Sequence, residues 1–302
     1  MLEAIIDIGS NTARMAIYQI QGQEAQEVLK RKDTRASLAS FLRGHALSKE
    51  GIGCLIDALE NFQAILRTFR VRHVHAFATG ALRGASNREA ALEEIQRITG
   101  LQVRILSGEE EATLGFLGAT HGLATKSGLL VDIGGATTEL VRYEGREILH
   151  KTSLPIGSRR LFANYVEGLL PATTDILRMR EAVAAVLSPL KGFEAPEGRP
   201  LCGIGGTFKG AYLLHRELWG DAPEGIPLAC LSEMLQRFQR GRALPEEDAV
   251  ALMRAAPERM LTLLPGLIIA EAIGRLCKAQ RFVYSDSGVR EGFLYKTLRT
   301  EN

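Results

Sequence analysis

Two stretches decide how this chain folds: Asp7-Ile8-Gly9-Ser10-Asn11-Thr12 and Asp132-Ile133-Gly134-Gly135-Ala136-Thr137. Both read D-I-G-x-x-T, and Tyr18 and Tyr143 follow at the same offset. Each stretch ends one apolar run and leads into another, the pattern of two strands joined by a tight turn. A hairpin that occurs twice implies two related lobes, and a chain of 302 residues suits two domains better than one. The boundary is expected in the glycine-bearing stretch 122–128, giving lobes 1–123 and 124–302.

The periodicity outward from the hairpins alternates between strand and helix. Strands are expected at 2–9, 12–20 and 24–34. A helix follows at 49–69, where Ile52, Leu55, Ile56, Leu59, Phe62, Ile65, Leu66 and Phe69 recur at helical spacing. Then come a strand at 73–79, a helix at 87–99 ending at Gly100, and a strand at 102–106. Beyond the second hairpin the pattern gives a strand at 146–153, helices at 157–168 and 173–190, and a Pro/Gly-rich loop at 195–200. A short strand then meets the turn Gly203-Ile204-Gly205-Gly206-Thr207, which opens a helix. A helix at 262–279, a strand at 281–285 and a helix from Val289 complete an α/β pattern.

Composition narrows the partners. Thirty-seven basic and 35 acidic residues leave a net charge of +2, so no overall basic field calls for nucleic acid or a membrane surface, and an anionic ligand needs a local site. Cys54, Cys202, Cys230 and Cys277 form no C-x-x-C pair and are expected as buried, reduced thiols. Asp7 interrupts the N-terminus before any signal-length apolar run, so a cytoplasmic protein is expected.

A turn carrying glycine and Ser or Thr can aim several backbone N–H groups at one phosphate. Gly9, Ser10, Asn11 and Thr12 form one such turn and Gly134, Gly135 and Thr137 the other. Gly205, Gly206 and Thr207 form a third, with Lys209 two residues on. Asp7 and Asp132, each closing the first strand of its hairpin, are candidate carboxylates for a hydrated Mg²⁺. There is no G-x-x-x-x-G-K-[ST], so a P-loop is not the means of holding phosphate. In Ser107-Gly108-Glu109-Glu110-Glu111, a capping box accounts for Ser107 and Glu110. Glu111 shares a helical face with Leu114, Gly115 and Gly118, so it points inward as a candidate general base. Arg83, just past a strand, has a guanidinium suited to phosphate oxygens. Lys30, Arg31, Lys32 and Arg35 read as an exposed strand face, and His73 and His75 as structural.

Seven segments together resemble the exopolyphosphatase and guanosine pentaphosphate phosphohydrolase family: IDIGSNTAR from Ile5, ATGALRGASN from Ala78, ILSGEEEATLGFLG from Ile105, VDIGGATTEL from Val131, LPIGSRRL from Leu154, GIGGTFK from Gly203 and SDSGVREG from Ser285. The resemblance implies two ribonuclease-H-like lobes of the actin-like ATPase kind around an interdomain cleft. It implies that Glu111 is the catalytic glutamate, that Asp132, Gly134, Gly135, Thr137 and Glu139 line a phosphate and Mg²⁺ site, and that Asp7, Ser10 and Asn11 lie opposite with Arg83 on a phosphate. The expected substrate is inorganic polyphosphate, narrowly ahead of guanosine pentaphosphate; guanosine tetraphosphate is expected only as a ligand, and a homodimer is left open. Rival readings are a small-molecule kinase of the same superfamily and a non-catalytic sensor. Three departures stand out: Ala136 replaces a usual third glycine, Ser37–Leu42 lacks a usual glycine-rich pattern, and Leu261 replaces a usual aspartate.

Overall fold

The computed structural model describes residues 1–22, 24–33, 36–121, 127–194, 199–239 and 244–300. Positions 122–126 of the expected linker, most of the 195–200 loop and Arg35 lie outside the described residues. The chain divides into two units. The first holds Met1–Ser107 and the end of the last helix from Lys296, and the second holds Gly108–Tyr295.

In the first unit, strands β1 (Leu2–Ile8), β2 (Ala13–Gln21) and β3 (Glu24–Asp33) run antiparallel. A 3₁₀ turn at Leu38–Phe41, the small hairpin β4 (Leu42–Arg43) and β5 (Ala46–Leu47), and helix α1 (Lys49–Thr68) follow. Then come β6 (His73–Ala78), α2 (Gly80–Arg83), α3 (Arg88–Thr99) and β7 (Val103–Ile105). The sheet order is β3-β2-β1-β6-β7, with β6 parallel to β1 and β7 parallel to β6. The expected helical face of α1 buries Leu55, Leu59 and Phe62 with Ile6 and Ile8 of β1, and Ser48 caps it by accepting from the Gly51 amide at 3.2 Å. β3 is the edge strand, and its Lys30 side chain is exposed beside Glu27, a charged face that discourages further strand pairing.

The second unit opens with α4 (Gly108–Thr120) and the strands β8 (Ser127–Ile133), β9 (Thr138–Glu144) and β10 (Glu147–Leu154). Helices α5 (Ser158–Tyr165) and α6 (Thr173–Leu187), strand β11 (Leu201–Ile204) and helix α7 (Gly205–Trp219) come next. They lead to β12 (Ile226–Pro227), α8 (Leu228–Arg237), α9 (Glu246–Ala255), α10 (Leu263–Leu276), β13 (Arg281–Tyr284) and α11 (Val289–Thr300). The sheet order β10-β9-β8-β11-β13-β12 repeats that of the first unit with one edge strand added, and the senses match strand for strand. The shared topology bears out the two related lobes that the repeated hairpin implied, in the α/β form that the family resemblance led one to expect. The sequence pattern assigned nothing between the α7 turn and position 262, where β12, α8 and α9 lie.

Alternation along β8 fixes what each face does. Leu129, Val131 and Ile133 join the core with α6, α7 and α10, whereas Leu130, with Val141 and Tyr143 of β9, packs on Ala112, Phe116 and Ala119 of α4. Helix α4 therefore belongs to the second unit, and the division falls at 107/108, earlier than the expected 123/124. Among the described residues no helix is long and apolar enough to cross a membrane. Burial of Cys202 and Cys277 pushes their thiols up to about 12. Cys54 and Cys230 are only half-buried, so the expectation of buried thiols holds for two of the four.

Helices α4 and α11 meet backbone to backbone within the second unit. A Cβ on Gly118 would sit 1.9 Å from the Gly288 carbonyl oxygen, and one on Gly292 would sit 1.8 Å from that of Leu114. Gly118→Ala must push the helices apart, an overpacking cost of about 1–3 kcal/mol. The expected result is a lower urea midpoint at unchanged slope, while Leu177→Ala, at an exposed position of α6, leaves the midpoint nearly in place.

Candidate active site

The two repeated turns share one geometry. The Gly9 amide donates to the Thr12 carbonyl at 3.0 Å, and the Gly134 amide to that of Thr137 at 2.9 Å. In each, the strands pair up to the residue bordering the turn, Ile8 with Ala13 and Ile133 with Thr138. Neither Gly9, Gly134 nor Gly135 adopts positive φ, and neither does Ala136. A Cβ on Gly134 would lie 3.0 Å from the Thr137 carbonyl oxygen, so that glycine serves close approach, and the Ala136 departure carries no backbone strain.

The orientation of the second turn is set from behind. The Gly134 carbonyl accepts from the Ser158 amide at 2.9 Å, and the Gly135 carbonyl from the Arg159 and Arg160 amides at 3.0 Å each. In a planar trans peptide the next N–H points opposite to the C=O. The Gly135 and Ala136 amides therefore face away from α5 as consecutive N–H groups, the arrangement from which an anion nest can be built. Gly157 makes this docking possible, because a Cβ there would lie 2.5 Å from the Ala136 nitrogen. In the first unit the 3₁₀ segment takes the place of α5: the Ala39 amide donates to the Ser10 carbonyl at 2.9 Å, which turns the Asn11 amide outward. The 37–42 departure thus sits in the element that braces this turn. Gly157 and Ser158 belonged to a segment singled out in the sequence, yet nothing there marked them as the brace.

Strand alternation places Asp132 and its cross-strand partner Glu139 on the α4 face of the sheet. Helix α4 docks on β10 through Lys151, whose Nζ lies 3.1 Å from Thr113 Oγ1 and 3.5 Å from Glu109 Oε2. Glu109 is exposed, whereas Glu111 comes near enough to Glu139 to repel it. Burial, together with the Glu111 and Asp132 charges, holds the Glu139 carboxyl well above the usual carboxylate range, against hydrogen bonds from Ser153 and Thr137. The Ser153 hydroxyl donates to Glu139 Oε1 at 2.7 Å. Among the described residues no three metal-ligating side chains converge closely enough to hold an ion unaided. A cluster of oxygen donors carrying like charge suits a hydrated Mg²⁺ that also takes substrate oxygens.

The third turn borders this cluster. Gly205, with φ of 77°, needs glycine both for its backbone and because a Cβ would lie 2.5 Å from Asp132 Oδ1. Gly206 lets the Arg259 guanidinium lie across it, since a Cβ would come within 1.6 Å of Nη2. The sequence reading gave Arg259 no role. Thr207 is fully buried and its hydroxyl donates to the Ile133 carbonyl at 3.2 Å, so it braces the turn from inside. Lys209 is ion-paired with Asp286 at 3.2 Å.

The first unit gathers its own set. Ser10 Oγ accepts from the Ala81 amide at 3.0 Å, which leaves its hydroxyl proton to donate elsewhere. Asn11 Oδ1 is buried with no hydrogen-bond partner among the described residues, an unmet polar atom of the kind a ligand satisfies. Arg83 donates from Nη1 to the Leu106 carbonyl at 3.1 Å, which fixes the guanidinium at the carboxyl edge of β7. Asp7 stands opposite Arg14 across the hairpin, so its charge has a basic neighbour where Asp132 has an acidic one. His75 Nε2 lies 3.8 Å from the buried Glu3 carboxylate, in keeping with a structural role.

The model of the Ppx/GppA phosphatase family matches residues 16–301. The chain belongs to this family. A Vibrio vulnificus relative named guanosine-5'-triphosphate,3'-diphosphate pyrophosphatase is 29% identical across 98% of this chain, and an Aliivibrio fischeri relative of the same name is 29% identical across 97%. The chain spans 59% and 58% of those proteins' lengths. The crystal structure of the Aquifex aeolicus Ppx/GppA family member superimposes with a TM-score of 0.79 at 26% identity, covering 100% of this chain and 99% of that one. An exopolyphosphatase structure from Cytophaga hutchinsonii gives 0.84 at 23% identity, covering 99% and 98%, and shares the fold.

The raised Glu139 carboxyl gives this Ppx/GppA member a signature without turnover. A carboxyl whose folded pKa is raised stabilises the fold fully below the ordinary carboxylate range, and that contribution is lost as pH rises through the folded value. In chelator, the urea midpoint should fall as pH climbs from the acidic range toward neutrality. Glu139→Gln should flatten that slope and Mg²⁺ should oppose it. A wild-type slope equal to the mutant's would show that Glu139 is not held protonated.

Proposed function

We propose that the chain is a Mg²⁺-dependent phosphoanhydride hydrolase that removes the terminal phosphate from guanosine pentaphosphate or inorganic polyphosphate. The observation that carries this reading is the gathering of Glu111 and Asp132 around Glu139, beside a turn whose outward amides form an anion nest. The names of the pyrophosphatase relatives support the same class of reaction.

The chemistry needs little beyond positioning and charge. A water oxygen attacks the terminal phosphorus in line, and Glu111 takes its proton. The bond from phosphorus to the bridging oxygen breaks, and the electron pair leaves with the shortened phosphate chain or nucleotide. Amides of Gly135 and Ala136, with the Arg259 guanidinium at the neighbouring turn, stabilise charge on the transferring oxygens. The nest keeps its shape throughout because α5 holds the opposing carbonyls. Asp132 and Glu139 would hold Mg²⁺, which when bound supplies further charge neutralisation to the phosphoryl oxygens. In the first unit, Arg83, Ser10 and the outward Asn11 amide provide a second set of phosphate donors.

Glu111→Gln should lower phosphate release by roughly 10²–10⁴-fold with substrate affinity little changed, the usual scale of general acid–base catalysis. Glu109→Gln, which only loses an exposed ion pair, should stay near the parent rate. Release measured from both substrates, with Mg²⁺ and with chelator, checks the assignment. Turnover by Glu111→Gln at the parent rate would remove it from the base role.

A further inference from the structure

The exposed stripe of α7 runs outward from the third glycine turn. Thr207, Phe208, Gly210, Ala211, Leu214 and His215 are buried, which leaves Gly206, Lys209 and Tyr212 along the other face at helical spacing. The Tyr212 ring stacks on Tyr284 with centroids 5.8 Å apart and planes at 28°. The Tyr284 hydroxyl donates to Asp286 Oδ1 at 2.5 Å, and Lys209 Nζ approaches the same oxygen at 3.2 Å. Both contacts fix how the carboxylate is presented, yet the Asp286 side chain remains 65% exposed. The Ser285 amide donates to the Gly203 carbonyl at 3.0 Å, which ties this loop to the end of β11. The patch therefore lies at the carboxyl edge of the parallel strands, where open α/β sheets bind ligands.

We infer that Tyr212, Tyr284 and Asp286 form a guanine-nucleoside subsite that distinguishes guanosine pentaphosphate from inorganic polyphosphate, an inference that rests on the hydrolase reading above. From Gly206 to Tyr212 the helix rises about 9 Å, a span on the scale of the ribose and phosphates that separate a base from a terminal phosphoryl group. The half-buried tyrosine pair offers a π-face to a base, which stacks without regard to its identity. Identity comes from Asp286. The guanine N1–H and exocyclic N2–H₂ are adjacent donors that match the two oxygens of an acceptor-only carboxylate. Adenine presents its N1 lone pair to the same group and is repelled. Polyphosphate, having no base, makes none of these contacts.

The test compares GDP, ADP and xanthosine diphosphate binding by calorimetry with turnover of guanosine pentaphosphate and polyphosphate. Wild type should bind GDP about 10-fold or more tightly than ADP. Asp286→Asn, nearly isosteric, exchanges an acceptor for a donor. It should weaken GDP about 10-fold and improve xanthosine diphosphate, whose C2 carbonyl accepts from the new amide. Tyr284→Ala should lower the ratio of kcat/KM for guanosine pentaphosphate to that for polyphosphate. Equal GDP and ADP affinities, or an Asp286→Asn protein with unchanged base preference, would overturn the subsite. Because GDP binding needs no turnover, the two readings separate. A protein that cleaves polyphosphate but cannot tell GDP from ADP keeps the hydrolase reading and loses the subsite. A protein that prefers GDP through Asp286 yet cleaves neither substrate does the reverse.

Discussion

Helix α5 holds the carbonyl oxygens of Gly134 and Gly135 through the amides of Ser158, Arg159 and Arg160, and the planarity of the peptide unit does the rest. With those carbonyls committed, the following amides have one direction left, and they keep it whether or not an anion is present. A nest organised in advance loses little on binding, which is the condition under which backbone donors help a transition state most. The requirement reaches back into the sequence at Gly157, where any side chain would collide with the turn it supports. The first unit meets the same requirement with a different element, a 3₁₀ segment whose Ala39 amide takes the Ser10 carbonyl. What the two units share is thus a restraint on carbonyls as much as a run of letters.

The carboxylates follow from the sheet. A β-strand sends alternate residues to opposite faces, so placing Val131 and Ile133 in the helical core obliges Asp132 to face α4. The antiparallel register then sets Glu139 beside it, and α4 brings in Glu111. Collecting like charges around a buried carboxyl costs stability. A fold that retains such a cluster gains most when a cation and a phosphoryl group share the site, because the same electrostatics that oppose folding then favour binding.

Much of this was legible because it is local. The hairpins, the helical face of α1 and the inward face of Glu111 each depend on residues within a few turns of one another. The unit boundary was not, since nothing local in Gly108–Thr120 says that Ala112 and Phe116 pack on strands that come later. Neither Arg259 nor Ser158 carried a role, because their partners Gly206 and Gly134 are remote in sequence. Helices α8 and α9 have ten residues each, too short for periodicity to speak strongly. Thr207 erred the other way: its place in a glycine turn suggested a ligand, whereas full burial directs its hydroxyl to the backbone.

The two hairpins are alike in backbone and unlike in charge, a difference that would divide their work on the hydrolase reading. Asp7 and Asp132 occupy the same position before the turn, but the residue opposite is Arg14 in one copy and Glu139 in the other. Directly opposed side chains lie within a few ångströms, close enough for the partner to decide the local sign. On the hydrolase reading the first turn, with a basic residue beside its carboxylate, would present its amide, Ser10 and Asn11 to an anion with no cation required. On the same reading the paired carboxylates of the second unit would repel phosphate until a divalent ion intervened. The proposed function would then use one cradle that binds phosphate directly and one that binds it through metal. The single exchange of a basic for an acidic residue at equivalent strand positions is enough to separate them.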